Sequence, residues 1–90
     1  GTMQQGTNGS ENMKHAMMMG MDSMQKMPIS GNIDKDFAMM MKMHHQQGVE
    51  MAKIELAQGK SPVMKAMAKQ IISAQNKEIT RFDQWLSRQK

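Results

Sequence analysis

Ninety residues, fifteen of them methionine and none cysteine, confine this chain to one small domain whose core must draw on methionine. The formal charge of +4 comes from twelve basic and eight acidic residues scattered along the sequence, without the clustered lysines and interleaved aromatics of a nucleic-acid binder. No apolar run approaches the ~20 residues that span a membrane, and the lack of cysteine excludes disulfides, thiolate ligands and thiol catalysis.

Residues 1–9 are polar and glycine-rich and read as a disordered tail. Gly1-Thr2-Met3 has the look of a cloning scar, so an export leader could have preceded this sequence. The absence of cysteine suits an oxidising compartment such as the periplasm. A first helix is predicted over 11–27, with Ser10 as N-cap and an end before Pro28. Met13, Met17, Met21 and Met24 recur at helical spacing in it, and Met18 and Met19 fall outside that stripe. Gly20 weakens the helix by about 1 kcal/mol relative to alanine, so packing or a ligand is expected to order it.

After a loop over 28–33, a central helix is predicted over 35–58, capped by Asp34 and ended by a left-handed Gly59. Residues three and four apart share a face, which aligns Phe37, Met40, Met41, His44, Gly48, Met51 and Glu55. Met41 and His45 form a second pair, rotated by roughly 100° from the first. Gly48 bares the backbone and invites the close approach of another helix. Gly59-Lys60-Ser61-Pro62 then reads as a tight turn, with Ser61 as N-cap and Pro62 at the first helical position.

A third helix is predicted over 62–88. Its apolar stripe is Met64, Ala68, Ile71, Ile72, Gln75, Ile79, Phe82 and Leu86, flanked by Met67 and Trp85. Gln75 is its polar member and needs a hydrogen-bond partner if buried. So short a turn makes the second and third helices antiparallel neighbours. The expected fold is all-α, a small bundle of three helices in which a long antiparallel pair carries the Met-rich first helix. Three helices leave room for a fourth from a second chain, and therefore for a homodimer.

The chemistry rests on methionine and histidine. A thioether is a soft, neutral ligand that favours Cu(I) and, by the same logic, Ag(I). Imidazole, which ordinarily titrates near pH ~6.5, binds copper in its neutral form. A Met stripe at helical spacing is ordinarily core, and Met13, Met21, Met24, Met64 and Met67 are expected there. The runs differ: Met39, Met40, Met41 and Met43 span an arc of about 200°, twice what a core stripe requires, and Met17 to Met19 do much the same. Some of these side chains must face solvent, a partner chain or an ion.

Either histidine of the central helix, taken alone, reads as a hydrogen-bonded core group or a solvated one. With Met40 and Met41 one turn upstream and Met51 downstream, His44 and His45 read instead as metal ligands, though adjacent residues point apart and do not chelate one ion. The candidate ligands are thus Met40, Met41, Met43, His44, His45 and Met51, with His15, Met17, Met18 and Met21 on the first helix. Glu50, Glu55 and the lysines read as a solvated face. No Glu-x-x-His pair, His-Glu-x-x-His motif, phosphate-cradling loop or Gly-x-Ser-x-Gly elbow is present, so catalysis is not expected.

Asp34-x-x-Phe37, Met40-Met41-x-x-His44-His45-Gln46 and Met51-Ala52 together resemble the signature of a bacterial family catalogued as a domain of unknown function, which includes the copper-resistance protein CopM. The likeness continues through Gly59-Lys60, residues 68–75, Glu78-Ile79 and Trp85-Leu86, over about residues 34–87. It implies a ferritin-like helical bundle, usually exported, in which Met and His bind Cu(I) or Ag(I). Met40, Met41, His44, His45 and Met51 match the family pattern, whereas Phe82 stands where members often have methionine. The first helix lies outside this shared motif. The expected function is a periplasmic protein that sequesters Cu(I) or Ag(I), or hands it to a partner protein of a copper or silver efflux system. The alternative is a metal-free, Met-rich interaction module for apolar peptides or partner proteins.

Overall fold

A computed structural model describes residues 8–89, and these are about 85% helical with no strand among them. Three helices follow in order: α1, Gly9–Lys26; α2, Ile33–Gln58; and α3, Pro62–Ser87. Residues 1–7 of the expected tail lie outside the described residues, while Asn8 and Gly9 already belong to the start of α1.

The caps correct two expectations. The Asn8 side chain accepts from the N–H groups of Ser10 and Glu11, and that of Asn32 from Asp34 and Lys35. Asparagine in extended backbone reaches two orphan donors at once, so each helix begins before the Ser10 and Asp34 expected to cap it. Asp34 and Asp36 lie instead in the first turn of α2, where negative charge suits the helix dipole. Ser61 caps α3 as the sequence suggests, its hydroxyl accepting from the Met64 N–H. Gly59 is a third correction. It leaves α2 in extended backbone, φ −75° and ψ 162°, because the chain runs directly into the Ser61-Pro62 start of α3.

The positive φ lies at Gly31, at 88°, in the loop before α2. There the Asp36 carboxylate accepts from the Ser30 N–H at 2.8 Å, the Ser30 hydroxyl at 2.9 Å and the Gly31 N–H at 3.2 Å. The Ser30 bonds chiefly, with Gly31 and the nearby Lys35, hold the Asp36 carboxyl below its ordinary value of 3.8. A depressed carboxyl contributes stability above its unfolded pKa and loses it as pH falls through the lower folded value. Asp36→Asn is therefore expected to lower the melting temperature at neutral pH, with the gap to wild type narrowing below pH ~4 in a pH series of thermal melts.

The helices form a single layer. α2 lies in the middle with α3 along one side and α1 along the other, and α1 does not touch α3. The molecule measures 50 × 27 × 14 Å, close to one helix thick. Its radius of gyration of 15.5 Å exceeds the ~12 Å of a compact 90-residue domain.

The α2–α3 seam buries mostly small residues fully and larger ones, Ile72, Ile79, Phe82 and Leu86, in part. Ala38, His45, Val49 and Ala52 of α2 and Ala68 of α3 are buried. The bare backbone of Gly48 sits against the Gln75 carboxamide, whose Oε1 is buried without a hydrogen-bond partner, the difficulty expected of that residue. Phe37 meets Phe82 edge to face at 6.4 Å, and Lys42 pairs with Asp83 at 2.5 Å in a partly exposed bridge of small energetic value.

The α1–α2 seam joins half-buried Met13, Ala16, Gly20 and Met24 of α1 to α2 with two polar ties. The Gln47 amide donates to the Met17 carbonyl at 2.9 Å beside Gly20, and the Asn12 amide to Gln58 Oε1 at 3.3 Å. No residue of α1 is buried. The expected core methionines are corrected accordingly. Met21, Met64 and Met67 are exposed, and Met13 and Met24 half-buried, because a single layer places nothing above them.

Candidate metal-binding face

Helix phase, fixed by the contacts of α2, divides the layer into two broad surfaces. One carries Lys42 with its Asp83 partner, then Gln46, Glu50 and Lys53. On that side Met19, Ser23, Met43 and Gln46 line a shallow groove between α1 and α2. The other surface carries Phe37, Met40, Met41, His44 and Met51 of α2, in register with the Phe37–Phe82 contact. By the same phase α3 adds Met64, Met67 and Ile71, and α1 adds Met17 and Met21. Phe37 is 60% exposed, Met21 49% and Met67 48%, values that belong to a surface rather than a core.

The histidines part company. His44 is exposed on the Met-rich face, its ring centroid 6.1 Å from that of His45. His45 is only 9% exposed and points into the α2–α3 seam, edge to face on Phe82 at 5.5 Å. Its Nε2–H donates to Glu78 Oε1, while Nδ1 is buried and has no hydrogen-bond partner. The Glu78 carboxylate thus anchors the ring from α3 and holds it in the seam, turned away from the exposed methionines. Glu78 is the residue that spacing did not reveal as a partner. It lies 33 positions from His45, and no local pattern links the two.

Of the candidate ligands, the fold places Met40, Met41, His44 and Met51 on the same surface as Met17 and Met21. Met43, one turn from Met40, sits at the α1–α2 seam and lines the groove with Met19 beyond it. His15 and Met18 are exposed and, by helix phase, turn away from α2. Among the described residues no three His, Cys, Asp or Glu side chains gather as a potential metal site. An ion on this face would therefore depend on thioethers supplemented by imidazole, a donor set for soft cations and a poor one for Ca²⁺ or Mg²⁺. At the Phe37–Phe82 end the face deepens into an open cleft of about 700 Å³, bordered by Asp34, Glu78, Arg81 and Trp85. No described helix is long and apolar enough to cross a membrane.

No curated protein matches this chain. The family described as a domain of unknown function, DUF305, matches residues 1–86, which takes in α1 as well as the paired-histidine helix and most of α3. The Met-rich first helix, which the shorter motif left outside, is thus part of the matched region, and the chain belongs to the DUF305 family.

Proposed function

We propose that the protein binds Cu(I) or Ag(I) as cargo, sequestering the ion or passing it on, without catalysis. The supporting observation is the placement of Met17, Met21, Met40, Met41, Met51 and His44 on one surface, where several remain open to solvent. Thioethers that merely filled a core would be buried. These are presented, and a soft ion is the ligand for which neutral sulfur is chemically suited. Neutral sulfur ligands need no deprotonation and exchange readily, which suits a carrier or buffer in the periplasm better than a permanent structural site.

The test is an anaerobic Cu(I) titration against a chromophoric competitor. Wild type is expected to compete, and Met40→Leu/Met41→Leu/Met51→Leu, which keeps the volume but removes the sulfur, is expected to lose most of that affinity. His44→Ala should weaken binding and make what remains less sensitive to acid, because protons compete with metal for imidazole but not for thioether. No competition by wild type would remove the metal reading and leave a Met-lined module for apolar partners.

A further inference from the structure

We propose that the Met-rich face is covered by a second copy of the chain, so that two single layers stack into a six-helix dimer. Stable domains ordinarily bury the apolar side of one layer against another, and this chain supplies only one layer. Its buried apolar residues are Ala38, Val49, Ala52 and Ala68, all small, and no large side chain is fully buried among the described residues. Phe37, Met40, Met67 and Ile71 lie instead on the open surface together with Met17 and Met21.

The dimensions and the charges point to self-association. A stable complex needs ~800 Å² per partner, and a face of 50 × 27 Å exceeds that. The ion pairs Lys42–Asp83 and Lys53–Glu50 sit on the opposite surface, so two chains of charge +4 can approach without burying those charges. By helix phase the apolar side also carries both signs, Glu55 in line with Phe37 and His44 and Glu78 one heptad beyond Ile71, with Lys14 and Arg81 at its outer edges. A two-fold contact can therefore set unlike charges against each other. Residues 1–7, Gly-Thr-Met-Gln-Gln-Gly-Thr, contain one apolar side chain and are too polar to serve as the cover themselves. The thioethers exposed on the single chain would then line the space between the layers, where sulfur from both copies is available to one ion. The inference does not rest on metal binding, since the apolar area alone motivates it.

The test is sedimentation velocity on metal-free protein with a chelator present, from low micromolar to several hundred micromolar. A concentration-dependent dimer is expected, with Met67→Glu/Ile71→Glu weakening it about tenfold or more and Lys53→Glu on the far surface leaving it unchanged. Circular dichroism identifies any variant that has lost its helices. A second measurement avoids disruptive charges altogether. The native chain has no cysteine, so the alkylation rates of Ile71→Cys and Lys53→Cys report the two surfaces separately. Ile71→Cys should react more slowly as concentration rises, and Lys53→Cys at a constant rate. A monomer at every concentration, or a dimer that survives the face substitutions with Ile71→Cys unprotected, would overturn the proposal.

Discussion

His45→Ala is expected to lower the thermal midpoint by ~10 °C or more, measured at fixed protein concentration. His45 is the largest side chain buried in the α2–α3 seam, held edge to face on Phe82 and tied to Glu78. Truncation leaves a cavity beside Phe82, between helices whose other fully buried residues are Ala38, Val49, Ala52 and Ala68, too small to fill it. Deleting a buried side chain of this size costs about 2–4 kcal/mol, and each kcal/mol shifts the midpoint of so short a domain by about 4–8 °C. Total stability for a domain of this size is only of order 5–10 kcal/mol, so the loss is a large share. Glu78→Gln separates packing from charge. It keeps a hydrogen-bond acceptor for the Nε2–H and should cost ~1 kcal/mol, since the carboxylate is half exposed and stays hydrated either way. Equal losses in the two variants would show that the ion pair, rather than the ring's volume, holds the seam.

The second large effect is expected from adding atoms to the same seam. Ala68 is 3% exposed, the one fully buried residue that α3 contributes to its seam with α2 among the described residues. Ala68→Leu inserts three carbons at a position that is already almost fully enclosed. Overpacking of this kind costs about 1–3 kcal/mol, and here it should push the helices apart and loosen the Phe37–Phe82 contact. The control is Ala57→Leu. Ala57 is exposed on α2, and the same three carbons there should stay within about 0.5 kcal/mol of wild type. Urea denaturation of both variants reads the difference directly, and near-ultraviolet circular dichroism of Trp85 reports the separation of the helices. A stable Ala68→Leu would mean that the seam has slack that its small residues do not suggest.

Much of the architecture is legible in the residues because the elements are long and strongly periodic. The α3 stripe and the Gly59-to-Pro62 turn predict an antiparallel pair, and Ser61 and Pro62 stand at the head of α3 as expected. The other caps were missed for a simple reason. Asn8 and Asn32 compete with the nearby Ser10 and Asp34 for the same orphan N–H groups, and residue type alone does not decide between neighbours of similar capping strength.

The misplaced methionines have a different cause. Helical spacing shows that Met64, Met67 and Ile71 share a flank of α3, but not whether anything lies above it. In a single layer, half of an apolar arc has no protein against it, so Met21, Met64 and Met67 are exposed although their spacing resembles that of a core. The excess of arc in the Met39-to-Met43 run is informative, because it requires side chains on more than one side of α2. By helix phase Met41 turns toward the Phe37 face and Met39 toward the Gln46 and Lys53 side, while Met40 and Met43 flank the α1 seam. The differing fates of His44 and His45 are open from spacing alone. They are decided by Glu78 and Phe82, which come from another helix.

The order in which the helices touch has a consequence for coupling. α2 contacts both of its neighbours, and they do not contact each other, so the three elements are connected in series. An event that orders or releases α1 can influence the Phe37–Phe82 and His45–Glu78 contacts only by turning or sliding α2. The polar ties at Gln47 and Gln58 are where such a displacement enters, and the alanine-lined seam is where it is transmitted or absorbed. Within each chain, the paired-histidine helix is the sole relay between the outer two.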